Sequence, residues 1–229
     1  VLQEAIEKVL QQKPDIKGCS RTDTGVHAHC FCVSMKTGHP IPCQRLQAAL
    51  NHFLPPDMAV LSCREVPLSF HARYSCVGKE YEYVIWNSPV RSPFLRDRAL
   101  HYWYPLDVEQ LNRAAAHFVG PHDFTSFCTT DSRDRGDMTR TVTASHWRRE
   151  GEKVIYTVAA DGFLYNMVRI LVGTMLRVAE RKFTPEEMPR ILQAKDRRKA
   201  GPTAPACGLY LNRVFYDPAD LILPWEKGE

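Results

Sequence analysis

Residues 163–179, F-L-Y-N-M-V-R-I-L-V-G-T-M-L-R-V-A, are apolar almost all the way round a helical projection, and a helix without a polar face has to be enclosed by other elements. No other stretch limits the fold as much. The projection puts Arg169 on one face with Tyr165, Val172, Gly173 and Leu176. A guanidinium in such a place is costly unless it is paired, so a carboxylate or a phosphate is expected opposite it. The charge-poor run from Gly162 to Leu176 is too short, and too charged at Arg169, to span a bilayer. Protein must therefore do the enclosing, and 229 residues with 44% hydrophobic and 24% charged side chains suffice for one large domain or two small ones.

Around this stretch, helical and strand patterns alternate. Val1, Leu2, Ala5, Ile6, Val9 and Leu10 recur at helical spacing until Pro14, which predicts a helix over residues 1 to about 12. Ile16 to Ser20 reads as a short strand, and Phe31, Val33 and Met35 alternate as another. Pro42 opens a helix with a Leu46, Leu50 and Phe53 stripe, closed by Pro55-Pro56. Met58 to Val66 and Gly78 to Trp86 read as strands, the second with Lys79, Tyr81, Tyr83 and Ile85 on one face. Asp107 with Gln110 caps a helix that Gly120 stops, and P-H-D-F-T-S-F follows as a compact loop. Thr130 to Met138 reads as an exposed, charged connection. Residues 140–148 and 153–160 form a hairpin around Glu150-Gly151, Thr184, Pro185 and Glu187 start a capped helix, and Leu209 to Tyr216 is the last strand.

The chemistry concentrates near the start, in G-C-S-R-T-D-T-G-V-H-A-H at Gly18 to His29. Gly25, free to adopt positive φ, suits a tight loop that displays Asp23, and Arg21 lies two residues before it, close enough to act on that carboxylate or hold a phosphate beside it. The plain alternative is an Asx-turn. No phosphate-binding loop, dinucleotide fingerprint or nucleophile triad is present. His27, His29, Cys30 and Cys32 cannot all converge on one ion, because neighbours on a strand point to opposite faces. The eight cysteines are scattered, which favours free thiols, and the acidic, amphipathic start has no signal-peptide pattern. A cytoplasmic protein without metal or cofactor is expected, working through one carboxylate. An aspartate can act as a nucleophile at a sugar carbon or at a base.

Six segments carry a resemblance: S-R-T-D-T-G-V-H-A at Ser20 to Ala28, F-H-A-R-Y-S at Phe70 to Ser75, K-E-Y-E-Y at Lys79 to Tyr83, D-F-T-S-F at Asp123 to Phe127, F-L-Y-N-M-V-R-I-L-V-G at Phe163 to Gly173 and T-A-P-A-C-G-L-Y-L at Thr203 to Leu211. In this order, over about four fifths of the chain, they resemble the TruA family of tRNA pseudouridine synthases. The resemblance implies an α+β fold with a central antiparallel sheet flanked by helices and loops. It divides here into an N-terminal α/β half, residues 1–105, carrying the Asp23 loop, and a C-terminal half, residues 106–229, which share one continuous sheet. It implies a cofactor-free isomerase acting on uridines of the tRNA anticodon arm, around positions 38 to 40, as a homodimer. Asp23 matches the catalytic aspartate, Arg169 the arginine that pairs with it, and Tyr81 the tyrosine that stacks on the target base. Arg21 matches the arginine of the aspartate's motif, and Lys79 and Arg73 complete the expected substrate-binding set. The family's opening strand is missing, since Val1 begins inside a helix, and a truncated chain is expected.

Two other readings fit parts of the pattern. A non-catalytic RNA-binding or RNA-chaperone protein of the same fold would use the same sheet and basic residues. An aspartic protease would need two Asp-Thr-Gly segments sharing a proton, whereas this chain has one, next to arginine. The formal charge of +4 and pI near 8.6 lean mildly toward polyanions. Arg133, Arg135, Lys195, Arg197, Arg198 and Lys199 stand in polar stretches where RNA phosphates could be neutralised.

Overall fold

The computed structural model describes residues 1–129 and 136–216. Arg133, Arg135 and most of the charged connection lie outside them. In chain order the elements are α1 (Leu2–Leu10), β1 (Lys17–Gly18), β2 (His27–Ala28), β3 (Val33–Ser34), α2 (Cys43–Phe53), β4 (Gly78–Trp86), β5 (Leu100–His101), α3 (Val108–Ala116), β6 (Gly120–Asp123), β7 (Thr139–Glu150), β8 (Lys153–Ala160), α4 (Met167–Ala179), α5 (Met188–Ala194) and β9 (Leu209–Phe215). The described residues fall into two contact units: residues 1–20 with 32–76, and residues 21–31 with 77–129 and 136–216.

In the first unit, the apolar spacing of α1 and α2 brings Ala5, Ile6 and Leu10 together with Leu46 and Leu50, and Ile16, Met35 and Val60 pack around them. β1 and β3 pair antiparallel as a two-stranded ribbon. The strand expected at Met58 to Val66 does not form. The polar face of α2 supplies what a neighbouring strand would have given: Asn51 accepts from the Val60 N–H at 2.7 Å and donates to the Val60 carbonyl at 2.9 Å. Gln47 donates to the Leu61 carbonyl at 2.7 Å. Backbone groups satisfied by side chains have no need of a ladder.

The second unit is built on a mostly antiparallel, seven-stranded sheet in the order β2-β9-β4-β8-β7-β6, with β5 beside β4. Both sequence halves contribute strands to it. β4 runs the length of β8 in unbroken register, from Lys79 opposite Ala160 to Trp86 opposite Lys153. Its Tyr81, Tyr83 and Ile85 are buried, as period-two alternation requires. An extra residue in β9, Asn212, interrupts the ladder on the other side, between Glu80 and Tyr81. β7 and β8 pair down to Glu150 opposite Lys153, leaving a two-residue turn.

Two expectations for this unit are corrected. The Pro121 segment is not only a loop: Gly120 to Asp123 pair with β7 as the outermost strand β6, where a proline's missing N–H can face away from the sheet. The buried helix starts at Met167 rather than Phe163, because Asn166 adopts φ 61° and breaks the helical path. Tyr165 therefore leaves the face of Arg169 and is exposed. Ten of the thirteen residues of α4 are buried, so the helix has no solvent face, and α3 packs against both α4 and β7. Asp107 caps α3 by accepting from the N–H groups of Glu109 and Gln110. Thr184 and Glu187 form a capping box ahead of α5.

Candidate active site

Asp23 sits at the head of a turn in which the Val26 N–H donates to the Asp23 carbonyl at 3.1 Å, with Gly25 at φ 85°. A side chain would strain that conformation, which is the reason for glycine in T-D-T-G. The turn leads into β2, which pairs parallel with β9 through His27 opposite Tyr210 and Ala28 opposite Leu211. The His29 N–H adds a bond to the Leu211 carbonyl at 2.9 Å. The carboxylate is therefore displayed from the edge of a sheet and not from a free loop.

Arg169 reaches it from the first turn of α4. Its Nη1 donates to Asp23 Oδ2 at 3.1 Å and to Asn166 Oδ1 at 2.9 Å, and its Nε donates to the Ala204 carbonyl at 2.7 Å. The Ala204 N–H in turn donates to the Arg169 carbonyl at 3.0 Å, so helix and loop hold each other at both ends of one residue. The arginine side chain is 18% exposed and the aspartate 35%. Among the described residues, nothing hydrogen-bonds Asp23 Oδ1. One oxygen of the carboxylate is anchored and the other is presented.

The loop opposite α4 comes this close because Gly173 has no side chain: a Cβ there would lie 1.8 Å from the Pro202 carbonyl oxygen. The Gly201 N–H donates to Thr174 Oγ1 at 2.9 Å, and Thr174 Oγ1 donates to the Ile170 carbonyl at 2.7 Å. Tyr83 fastens the far end of the loop, its hydroxyl donating to the Pro205 carbonyl at 2.8 Å. Burial pushes the Tyr83 phenol well above its ordinary range, with Cys207 adding to the rise and the Arg169 charge opposing it. It therefore stays protonated and serves as a fixed donor.

Tyr81 is 7% exposed and meets Phe163 edge-to-face, with ring centroids 5.0 Å apart. Lys79 is half-buried in β4. Arg21 is exposed beside Asp23, and Arg73 is exposed in the first unit. His27 and His29 both stack on Tyr210, with centroids 4.7 and 4.8 Å away. Among the described residues no group of three or more histidines, cysteines or carboxylates could hold a metal ion. All eight cysteines are free thiols.

Asn166, Tyr83 and the 201–205 loop are parts of this arrangement that the sequence pattern does not mark as site elements. Asn166 had a readable signal, since asparagine tolerates the left-handed region and commonly stands at a helix boundary. The carbonyl of Ala204 had none, because an alanine's side chain says nothing about where its backbone oxygen points.

The family model described as tRNA pseudouridine synthase matches residues 1–75 and 114–217. The tRNA pseudouridine synthase A of Acetivibrio thermocellus is 43% identical over 215 residues, covering 94% of this chain and 88% of that protein. That of Clostridium acetobutylicum is 42% identical over 219 residues, covering 94% and 89%, and that of Thermoanaerobacter pseudethanolicus is 43% identical over 216 residues, covering 94% and 88%. A likeness that runs through the aspartate turn, the buried helix and the loop packed on it means that the chain belongs to the tRNA pseudouridine synthase family.

Proposed function

We propose that this protein is a cofactor-free isomerase that converts uridine to pseudouridine in the anticodon arm of tRNA, around positions 38 to 40. The single observation that carries the reading is the ion pair between Asp23 and Arg169 in a chain of this family. With Oδ2 anchored, Oδ1 is the nucleophile offered to the nucleotide, at C1′ or at the base, and the bond it forms breaks again before product leaves, which restores the carboxylate. The N1–C1′ bond breaks, the base turns over, and a C5–C1′ bond replaces it. C5 gives up a proton and N1 takes one, so the formula is unchanged and no redox partner is needed. Tyr81 contributes a ring for the target base to stack on, while Arg21, Lys79 and Arg73 contact the RNA. The enzyme works in the cytoplasm as a homodimer, one tRNA touching both subunits. No helix among the described residues is long and apolar enough to cross a membrane.

The test is to incubate the protein with tRNA and map the product by carbodiimide modification or mass spectrometry. Pseudouridine at one or more of positions 38 to 40 is the expected result. Asp23→Asn should bind tRNA as the wild type does and turn nothing over, since the amide keeps the shape and loses the nucleophile; residual activity within about tenfold of wild type would sink the assignment. A wild-type protein that binds tRNA without converting it would leave a non-catalytic RNA-binding role in its place.

A further inference from the structure

Arg197 lies in a short turn, Arg197–Lys199, capped by Asp196, and takes no part in the chemistry described above. Its Nη1 donates to the Gly201 carbonyl at 2.8 Å and its Nη2 to Thr203 Oγ1 at 3.2 Å. Both acceptors are neutral. Among the described residues Arg197 has no carboxylate within salt-bridge distance, whereas its neighbours Lys195 and Arg198 pair with Asp123 and Asp196. Burial lowers its pKa, with no opposing charge to offset it. A partly buried cation without a counterion is a poor choice if only stability were at stake.

What the guanidinium grips explains the choice. It spans the 201–203 segment from one side, while α4 holds the same segment from the other through Thr174 and the Gly201 N–H. The next residue is Ala204, whose carbonyl accepts from Arg169 Nε at 2.7 Å. Arg169 in turn holds Asp23 Oδ2. A planar fork can reach two acceptors two residues apart, and a lysine's single ammonium nitrogen cannot reproduce that geometry.

We propose that Arg197 is a positioning residue for the Asp23–Arg169 pair, acting through Thr203 and the 201–204 loop. The proposal rests on the isomerase reading above and adds a residue to it. Small displacements of a reacting group have large effects on rate, so a slack loop should show in turnover before it shows in binding.

Pseudouridine formation would be measured for Arg197→Gln, Arg197→Lys, Thr203→Val, Thr203→Ser and the Arg197→Gln/Thr203→Val double variant, with thermal melting of each. Arg197→Gln and Thr203→Val should each lower kcat by at least about tenfold while KM stays within about twofold. Arg197→Lys should fail to restore kcat, and Thr203→Ser, which keeps the hydroxyl, should stay near wild type. The double variant should be no slower than the worse single one, as for two ends of one contact. Thr203→Val removes one hydroxyl and carries the test if the Arg197 variants melt too early to assay. A kcat within about twofold of wild type in both Arg197→Gln and Thr203→Val overturns the proposal, as does a raised KM with unchanged kcat, which would put Arg197 on a substrate phosphate. The controls separate the two levels: turnover by the wild type, abolished in Asp23→Asn, keeps the isomerase reading even where the positioning role fails. A wild type without turnover takes both down.

Discussion

Asp23 and Arg169 are separated by 146 residues of chain and by 3.1 Å in space, and each explains the other's position. The need of Arg169 for an oxygen partner was legible from its place in an apolar helix. The identity of that partner was not, since periodicity carries no information about contacts at such separation, and only the resemblance pointed to Asp23. Because each group is the other's partner, Arg169→Leu should abolish turnover by releasing the carboxylate from its anchored geometry. In a double-mutant cycle on stability, Asp23→Asn and Arg169→Leu should couple by more than about 1 kcal/mol, since either single change strands a charge and the double change strands none. Strictly additive effects would contradict the pairing. Tyr81 calls for a different comparison. It is almost wholly buried in the free chain, so Tyr81→Ala opens a cavity and should cost about 3 kcal/mol of stability besides its effect on turnover. Tyr81→Phe keeps the ring and a stacking contribution of about 1 to 3 kcal/mol. Phe should thus retain most of the activity that Ala loses, and equal loss in the two, measured on folded protein, would assign the phenol a role in proton transfer.

At the scale of elements, the loop that holds Arg169 depends on a contact with α4 that admits no side chain. Gly173→Ala would drive a methyl into the Pro202 carbonyl, and since backbone lies on both sides the loop itself must move. Overpacking of this kind costs about 1–3 kcal/mol or more, so the chemical-denaturation midpoint should fall and turnover should fall with it. A variant with unchanged stability and activity would mean that the loop has slack. The turn after α5 offers a pH-dependent counterpart. Hydrogen bonds from the side chain and backbone N–H of Arg198 hold the Asp196 carboxyl at about 2, against an ordinary 3.8. The folded-state value is depressed, so the stability it contributes is complete above pH 3.8 and disappears as pH falls toward 2. Asp196→Asn should flatten the stability curve in that window and leave its shape near neutrality unchanged, as measured by melting across pH. Elements with a strong period were readable in advance: α1, α2, β4, the β7–β8 hairpin and the body of α4. Those that escaped did so for local reasons. Val60 takes its hydrogen bonds from Asn51 instead of a strand, β6 contains a proline that only an edge position admits, and a single left-handed Asn166 shifts the start of α4.

For the molecule as a whole, the formal charge of +4 matters less than which cations are already neutralised. Of the basic residues expected to face RNA after α5, Lys195 is paired with Asp123 at 2.7 Å and Arg198 with Asp196 at 2.9 Å. Arg197 is committed to the 201–203 loop, while Lys199 is exposed and has no ion pair among the described residues. A cation that already has a carboxylate gains less from a phosphate, because the new contact must replace the old one, whereas an unpaired lysine releases condensed counterions from the RNA outright. Binding should therefore weaken with salt, but less steeply than a count of all six basic residues would give, at about 0.7 to 0.9 in the log–log slope per phosphate neutralised. Lys199→Ala should reduce that slope by about 1, and it should lower affinity for different tRNAs to a similar extent, as a phosphate contact does. Arg198→Ala should change the slope less, since its charge is balanced by Asp196 before RNA arrives. Measuring tRNA affinity by filter binding across a salt series for the wild type and both variants decides the matter. A flat wild-type dependence would remove this face from the RNA surface altogether, and a larger slope change for Arg198→Ala than for Lys199→Ala would mean that the Asp196 pair opens on binding.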